Sequence, residues 1–211
     1  LEFRRVLFRS PIYLHKPPLP PYLAPMYRIT LYFCCLSLGL TAIVLPAHSQ
    51  AGSYPYTEFN VGVSVIGEAL REGYTYQPIT LLPTTSLWQF GRFSAYAEGQ
   101  FVYADTPVQT GSAFEAGLNM GIRYQQPLFG PIVMNATIGA GPHYITLNTE
   151  SQAEGFIFSD NFEIGFSYLR PGKRWSYNLR GRFRHISNAG FKYPNLGLDN
   201  FFIIIGLRQQ L

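Results

Sequence analysis

The chain has 211 residues, of which 47% are hydrophobic, 16% are aromatic and only 13% are charged. That charged fraction is about half of the usual value for soluble domains. The net charge of +4 arises from residues 1–50, because the remainder of the chain has 11 basic and 11 acidic residues. Nucleic-acid binding needs a basic surface, so we expect no nucleic acid among the partners.

The first 50 residues are predicted to lie outside the folded domain. Residues 1–25 are rich in proline and are expected to be an upstream flank or a disordered tail. Residues 26–50 combine a basic start, an apolar stretch and small residues after it, which is typical of a secretory signal peptide. A membrane anchor is the alternative, since the apolar stretch from Ile29 to Leu45 approaches the length of a membrane span.

Both cysteines, Cys34 and Cys35, fall within the predicted signal peptide. Residues 51–211 therefore have no disulfide, no cysteine nucleophile and no cysteine ligand for zinc. An exported domain without cysteine is consistent with a bacterial envelope protein.

Residues 51–211 are predicted to form one domain of eight β-strands. Apolar and polar residues alternate along its segments with the period of two that is expected of strands with one apolar face. The predicted strands cover residues 58–66, 74–82, 92–103, 113–125, 132–146, 162–168, 174–187 and 199–209. The second is the weakest because Pro78 interrupts it. The connections after strands four and six are tight, whereas those after strands three, five and seven are longer and polar.

The composition of the two faces favours a membrane barrel. The apolar face carries large aromatic residues near the segment ends, as the interfacial girdles of outer-membrane barrels require. The polar face supplies a small interior with salt bridges, formed by Glu58, Arg92, Glu98, Glu115, Arg123, Glu163, Arg180, Arg182 and Arg184. In hydrocarbon, only a closed sheet satisfies every backbone group. We therefore predict an all-β fold, an eight-stranded antiparallel up-and-down transmembrane β-barrel in the bacterial outer membrane; a soluble lipocalin-like barrel is the alternative.

The last two predicted strands place reactive groups on the apolar face. His185 and Ser187 fall in the apolar row of strand seven, and Asp199 falls in the apolar row of strand eight. Cross-strand neighbours are within side-chain reach, so Asp199 is predicted to contact His185. A carboxylate that orients an imidazole, which deprotonates a serine, is the triad of acyl transfer. Asn188 and Gly190 are the candidate donors for the oxyanion.

The even number of strands predicts where these groups lie. With both termini on the periplasmic side, the loop at 188–198 is expected at the cell exterior, and the triad is expected to face the outer leaflet. His143, by contrast, is expected to face the interior, and Arg180, Arg182 and Arg184 are expected to pair with interior glutamates.

Each candidate residue also has an ordinary structural interpretation. A His-x-Ser pair is common, Asn-Ala-Gly is a common turn sequence, and Asp199 is suited to begin a strand by binding loop amides. Polar groups that face lipid are costly, however, and this cost favours a function for His185 and Ser187 together.

The run from His185 to Asp199 resembles the hallmark of the outer-membrane lipid A 3-O-deacylases, a family of eight-stranded barrels of about this length. The resemblance implies that His185 is the general base, Ser187 the nucleophile and Asn188 the oxyanion residue. Asp199 stands where better-known members have glutamate. The resemblance further implies release of the 3-hydroxyacyl chain that is ester-linked at position 3 of lipid A, with no metal and no other cofactor.

Three functions are consistent with the sequence. The first is a serine-type ester hydrolase that acts on lipid A, with lipopolysaccharide and outer-membrane lipids as its partners. The second is a non-catalytic barrel, either an adhesin or a structural protein that binds lipopolysaccharide. The third is a soluble lipid-binding barrel exported to the periplasm. The sequence leaves open whether the chain forms a homodimer.

Overall fold

The structure, a computed structural model, describes residues 55–71, 73–107 and 112–211. The signal peptide, the flank and the cysteines predicted for residues 1–50 lie outside this part. Nine strands form within it: β1 (Tyr56–Ala69), β2 (Thr75–Tyr76), β3 (Ile79–Phe90), β4 (Phe93–Ala104), β5 (Ala113–Phe129), β6 (Ile132–Ile145), β7 (Gly155–Tyr168), β8 (Trp175–Ser187) and β9 (Leu198–Gln210). Among the described residues, no helix has the length and hydropathy to cross a bilayer.

The eight long strands close into a barrel. β1 and β3 to β9 pair antiparallel in chain order, and β9 returns to pair with β1 from Tyr56–Gln210 to Gly67–Asn200. The short β2 only extends the end of β1 as a hairpin. The predicted eight-stranded up-and-down barrel is therefore confirmed, and closure leaves no edge strand along its wall.

The second barrel strand differs from the prediction. Residues 74–82 were predicted to form it, but the strand is β3, which starts at Ile79 and continues through Pro83. The ladder between β3 and β4 lacks the pairs at Leu82 and Pro83, where the proline has no N–H to donate. A proline in a period-two segment therefore interrupts a ladder locally without ending the strand.

The sixth barrel strand is longer than predicted. β7 begins at Gly155, whereas the alternating pattern identified only residues 162–168. Two residues obscure the pattern: Ile157 is apolar yet buried inside the barrel, and Asp160 is acidic yet lies on the outward face. Both exceptions lie at the end of the barrel that carries the long loops.

The barrel interior is polar, and its charged side chains form ion pairs. Arg182 contacts Glu98 at 2.7 Å, and both side chains are about 1% exposed. The other buried contacts of this kind are Arg123–Glu58 at 2.6 Å, Arg180–Glu163 at 2.9 Å, Arg184–Glu115 at 3.0 Å and His143–Glu115 at 2.6 Å. The predicted interior positions of the three arginines of β8 and of His143 are confirmed.

The exterior is apolar around the whole wall. The exposed large hydrophobic residues include Phe59, Ile79, Phe101, Leu118, Ile138, Phe166, Leu179 and Ile205, which come from all eight long strands. A soluble barrel turns its apolar face inward, so this distribution argues against the lipocalin-like alternative. An apolar exterior over a polar interior is the arrangement of transmembrane β-barrels.

The interior changes character at the end with the long loops. There a buried apolar cluster replaces the ion pairs; it consists of Leu70, Tyr76, Ala104, Ala113, Ile145, Leu147, Ile157, Ile186 and Leu198. Ile186 and Leu198 alternate along β8 and β9 with residues that point outward. This cluster therefore forms the inner support for the wall that carries the candidate site.

Candidate functional site

The three candidate catalytic residues share the outer surface of the barrel. Along β8, the buried positions alternate with partly exposed ones that include His185 and Ser187. Asp199 is the second residue of β9 and is the register partner of His185. Because strand residues alternate between faces, Ser187, His185 and Asp199 all project away from the interior near the long-loop end.

A short hydrogen bond joins His185 to Asp199. The distance from Nδ1 of the imidazole to Oδ1 of the carboxylate is 2.6 Å, and the side chains are 18% and 30% exposed. An ionised carboxylate only accepts hydrogen bonds, so Nδ1 carries the proton of this bond. In the neutral ring, Nε2 then has the free lone pair and is the nitrogen that can act as a base. The aspartate side chain is thus long enough to reach the ring.

Ser187 lies on the same face but is not hydrogen-bonded to His185. Its Cα lies about 6.7 Å from that of His185, as two successive residues on one face of a strand do. Within the described residues, the Ser187 hydroxyl makes no hydrogen bond to the imidazole. Catalytic hydrogen bonds are often long in enzymes without substrate and tighten when the substrate binds.

The two candidate oxyanion donors take part in the loop between β8 and β9. Asn188 is 2% exposed, and its Nδ2 donates to the backbone oxygen of Lys192 at 2.6 Å. The N–H of Gly190 donates to Oδ1 of Asn188 at 3.0 Å. Both groups therefore already have partners, and the structure gives them a role in shaping the turn beside Ser187.

This loop is tied to the loop between β6 and β7. The N–H of Leu196 donates to the oxygen of Ser151 at 2.8 Å, and the N–H of Ala153 donates to the oxygen of Pro194 at 2.9 Å. A further bond links the N–H of Asn188 to Oδ1 of Asn195 at 2.8 Å. These bonds hold the β8–β9 loop, which connects Ser187 to β9, in a fixed conformation.

Two residues of β7 complete the surroundings and were not anticipated from the sequence. Asp160 is the register partner of His185, and Phe158 is the register partner of Ser187. A carboxylate in an apolar row was the available signal, because Asp160 breaks that row as His185 does. It was missed because the predicted strand began after it.

An aromatic group lies beside Ser187. The rings of Phe156 and Phe158 meet edge to face with centroids 5.0 Å apart, and the ring of Phe191 from the β8–β9 loop lies 6.3 Å from Phe156. We call these three residues the aromatic wall. It provides an apolar surface next to the polar pair of His185 and Asp199.

The site consists of an imidazole, a carboxylate and a hydroxyl. In the described part of the chain, no group of three or more His, Cys, Asp or Glu side chains is placed to hold a metal ion. The chemistry that this arrangement can perform is acyl transfer, in which the carboxylate orients a base and the base activates a serine.

Solved structures share the fold of this chain, and a family model identifies its family. The crystal structure of the outer membrane enzyme PagL is similar with a TM-score of 0.54 and 17% identity, over 73% of this chain and 99% of that chain. Neisserial surface protein A (NspA) is similar with a TM-score of 0.56 and 10% identity, over 75% of this chain and 98% of that chain. No curated protein matches. The family model for lipid A 3-O-deacylases (PagL) matches residues 69–208, well over half of the chain. The chain therefore belongs to the PagL family of lipid A 3-O-deacylases.

Proposed function

We propose that this protein hydrolyses the ester at position 3 of lipid A, with Ser187 as nucleophile, His185 as general base and Asp199 as the group that orients the base. The observation that carries the proposal is the 2.6 Å bond between His185 and Asp199 on the outward face of the barrel. Such a pair is costly beside hydrocarbon, and the fold does not need it. Membership in the PagL family supplies the class of substrate.

The reaction follows from the protonation state of the pair. Nε2 of His185 takes the hydroxyl proton of Ser187 as Oγ attacks the ester carbonyl carbon. The tetrahedral intermediate collapses, the bond to the sugar oxygen at position 3 breaks, and the imidazolium returns its proton to that oxygen. Water, deprotonated by His185, then attacks the acyl-serine; the bond from the acyl carbon to Oγ breaks, the imidazolium returns the proton to Oγ, and the 3-hydroxy fatty acid is released. Asp199 stabilises the imidazolium during both steps.

Ser187 must turn its hydroxyl toward the imidazole to join the pair. It is the last residue of β8 and is partly exposed, so a rotation about its Cα–Cβ bond can aim the hydroxyl along the strand toward Nε2 of His185. Within the described chain its hydroxyl has no hydrogen bond that this rotation would break. We propose that substrate binding selects the rotated form.

The oxyanion donors need a second rearrangement. Asn188 stabilises the developing charge if its Nδ2 exchanges the oxygen of Lys192 for the oxyanion. The left-handed turn at Ala189 and Gly190, with φ values of 52° and 84°, is a strained segment next to the nucleophile. Loss of one such donor lowers kcat by about 10² to 10³ in other acyl-transfer enzymes.

The surface around the site fits a substrate that stays in the membrane. We propose that the long loops lie at the cell surface and the triad faces the outer leaflet, because the tight turns and the described carboxyl end share the opposite end of the barrel. An acyl chain then lies against the aromatic wall while its ester reaches Ser187. All the named side chains come from one chain, so a homodimer is not required for the chemistry.

A non-catalytic barrel that binds lipopolysaccharide is the second candidate. The observation in its favour is that both oxyanion donors are occupied by loop contacts. In this alternative the polar pair of His185 and Asp199 binds head groups and Ser187 has no covalent role.

Mass spectra of lipid A distinguish the two candidates. Lipid A is isolated from cells that produce the wild type, Ser187→Ala or His185→Ala at equal levels in the outer membrane. The proposal expects the loss of one 3-hydroxyacyl chain with the wild type alone. Equal deacylation by Ser187→Ala would refute the nucleophile, and unchanged lipid A with the wild type would favour the binding protein.

A further inference from the structure

Gly197, the residue just before β9, touches the imidazole of His185. Its φ is +79°, and a Cβ built on it would lie 2.5 Å from Cε1 and 3.1 Å from Nε2 of the ring. The same Cβ would also lie 3.0 Å from the oxygen of Ile186. Real Cβ atoms do not approach other atoms as closely as 2.5 Å. Only glycine therefore allows the backbone to come this close to the base.

This contact differs from those of the other left-handed glycines. Six others in the described chain have a positive φ and would meet nothing within 4 Å if they carried a Cβ: Gly73, Gly91, Gly130, Gly155, Gly172 and Gly190. They occupy turns or strand ends where the backbone conformation alone favours glycine. At Gly197, the conformation and the close approach both require it.

The backbone at Gly197 cannot easily withdraw from the ring. Leu196, one residue earlier, donates its N–H to Ser151 at 2.8 Å. Leu198, one residue later, is fully buried in the apolar cluster and pairs with Ile186 across β8 and β9. Gly197 is therefore held from both sides against the Cε1 edge of His185.

We propose that Gly197 is a positioning residue for the general base, an inference that rests on the proposed function. The imidazole is fixed by two contacts: Asp199 holds Nδ1, and the Gly197 backbone limits the ring at Cε1. Together they hold the ring in place, and Nε2 is the ring nitrogen to which Ser187 must present its hydroxyl. An added methyl group would push the ring by about 1 Å, and a misplacement of that size costs about a hundredfold in rate.

The first part of the test measures catalysis by purified, refolded protein on lipid A in detergent micelles. Gly197→Ala should lower kcat by about a hundredfold and leave KM within about twofold, because the ring moves but the acyl-binding surface does not. Gly172→Ala is the matched control: it has a similar φ of +67°, nothing within 4 Å and a position in the β7–β8 turn far along the barrel. Its kcat should equal that of the wild type. An unchanged kcat in Gly197→Ala would overturn the positioning role.

The second part uses stability and does not depend on activity. The shift of the urea midpoint caused by Gly197→Ala is measured in the wild type and in a His185→Ala background. If the methyl group collides with the imidazole, the shift is smaller when the ring is absent, as neighbouring residues in a double-mutant cycle show. If Gly197→Ala alone does not fold, the collision predicts that the double variant with His185→Ala still folds.

The two parts separate this inference from the proposed function. Equal midpoint shifts in both backgrounds would show that residue 197 does not press on the His185 ring, and would refute this inference even if the wild type deacylates lipid A. A smaller shift in the His185→Ala background together with an inactive wild type would overturn the proposed function, and the catalytic role of Gly197 with it.

Discussion

At the residue scale, the candidate site is marked by polar side chains on the outer face of the barrel, where the neighbouring positions are apolar. His185 and Asp199 face outward in rows that consist mainly of aromatic and aliphatic residues. The interior offers a polar environment with ion pairs, yet these two groups are not placed there. A site on the outside of the wall is directly accessible to a substrate within the membrane.

The carboxylate of Asp199 gives the first prediction. Asp199→Asn replaces the ionised acceptor of the Nδ1 bond with a neutral amide, which no longer stabilises the imidazolium or selects the tautomer. In a serine protease, the corresponding change lowers kcat by about 10⁴. We expect a loss of about 10² to 10⁴ in kcat here, with an unchanged KM, measured on purified lipid A.

Asp199→Glu is the companion variant. It retains the charge, and the family resemblance implies that the longer side chain suits the same position. We expect its activity to lie within about tenfold of the wild type, a difference of 1.4 kcal/mol in the barrier. Complete inactivity of a folded Asp199→Glu protein would contradict the orienting role.

The outward positions of the candidate residues could be predicted at this scale because period-two parity decides which face a side chain occupies. The pairing of Asp199 with His185 followed from the hairpin register. The contacts of Asn188 could not be predicted, because its partner Lys192 lies in a loop without periodicity. The role of Gly197 was also hidden, since glycine in a loop usually indicates only a turn.

At the scale of elements, the loop between β8 and β9 decides the shape of the site. It starts directly after Ser187 and ends at Gly197, two residues before Asp199, so its conformation sets how the hairpin presents Ser187 and Asp199. The N–H of Asn188, the residue after Ser187, donates to the side-chain oxygen of Asn195 at 2.8 Å. Together with the bonds of the Asn188 side chain to Lys192 and Gly190, this bond holds the turn in its conformation.

Asn195 gives the second prediction. Asn195→Ala removes the acceptor and leaves a largely enclosed N–H without a partner, at a cost of about 1–3 kcal/mol. We expect kcat to fall by about tenfold or more because the turn at Ser187 loosens. Asn195→Asp keeps an acceptor oxygen and should restore most of the activity.

The readout for this pair is kcat together with resistance of the loop to protease in folded protein. Faster cleavage near residue 190 in Asn195→Ala, but not in Asn195→Asp, is the expected companion result. If both variants behave like the wild type, the Asn188–Asn195 bond has no part in shaping the site.

The strands themselves were largely predictable, and the exceptions have physical causes. Alternation identified six of the eight long strands within a few residues of their bounds. The predicted segment at 74–82 includes Pro78 and ends before Pro83, whereas β3 starts after the first proline and continues through the second. β7 was shortened because Ile157 and Asp160 reverse the alternation, one in the apolar cluster and the other beside the site.

At the scale of the whole molecule, the barrel interior is filled with ion-paired arginine and glutamate side chains, and the outer wall is apolar. Arg182 lies at its centre and contacts the carboxylates of both Glu98 and Glu163. Sequence predicted that the arginines of β8 would meet interior glutamates. It could not predict which ones, because Glu98 lies 84 residues away along the chain and the match depends on the register of intervening strands.

Arg182 gives the third prediction. Arg182→Leu leaves two buried carboxylates without their shared cation, and loss of one partner of a buried pair costs about 3–5 kcal/mol. We expect a loss of that size in the free energy of unfolding, measured by urea titration in lipid vesicles. Arg174→Gln, in the exposed β7–β8 turn, is the control and should change it by less than about 0.5 kcal/mol. A stability equal to the wild type in Arg182→Leu would show that the interior network does not support the barrel.

Covalent labelling of Ser187 tests the central claim most directly. The folded protein is treated with a long-chain fluorophosphonate in detergent micelles, and the modified peptide is identified by mass spectrometry. A serine activated by His185 should form a phosphonyl adduct on Ser187 in the wild type and in Asp199→Glu, and no adduct in folded His185→Ala. A protein that deacylates lipid A but is labelled on another residue, or is labelled on Ser187 equally well without His185, would contradict the proposed mechanism.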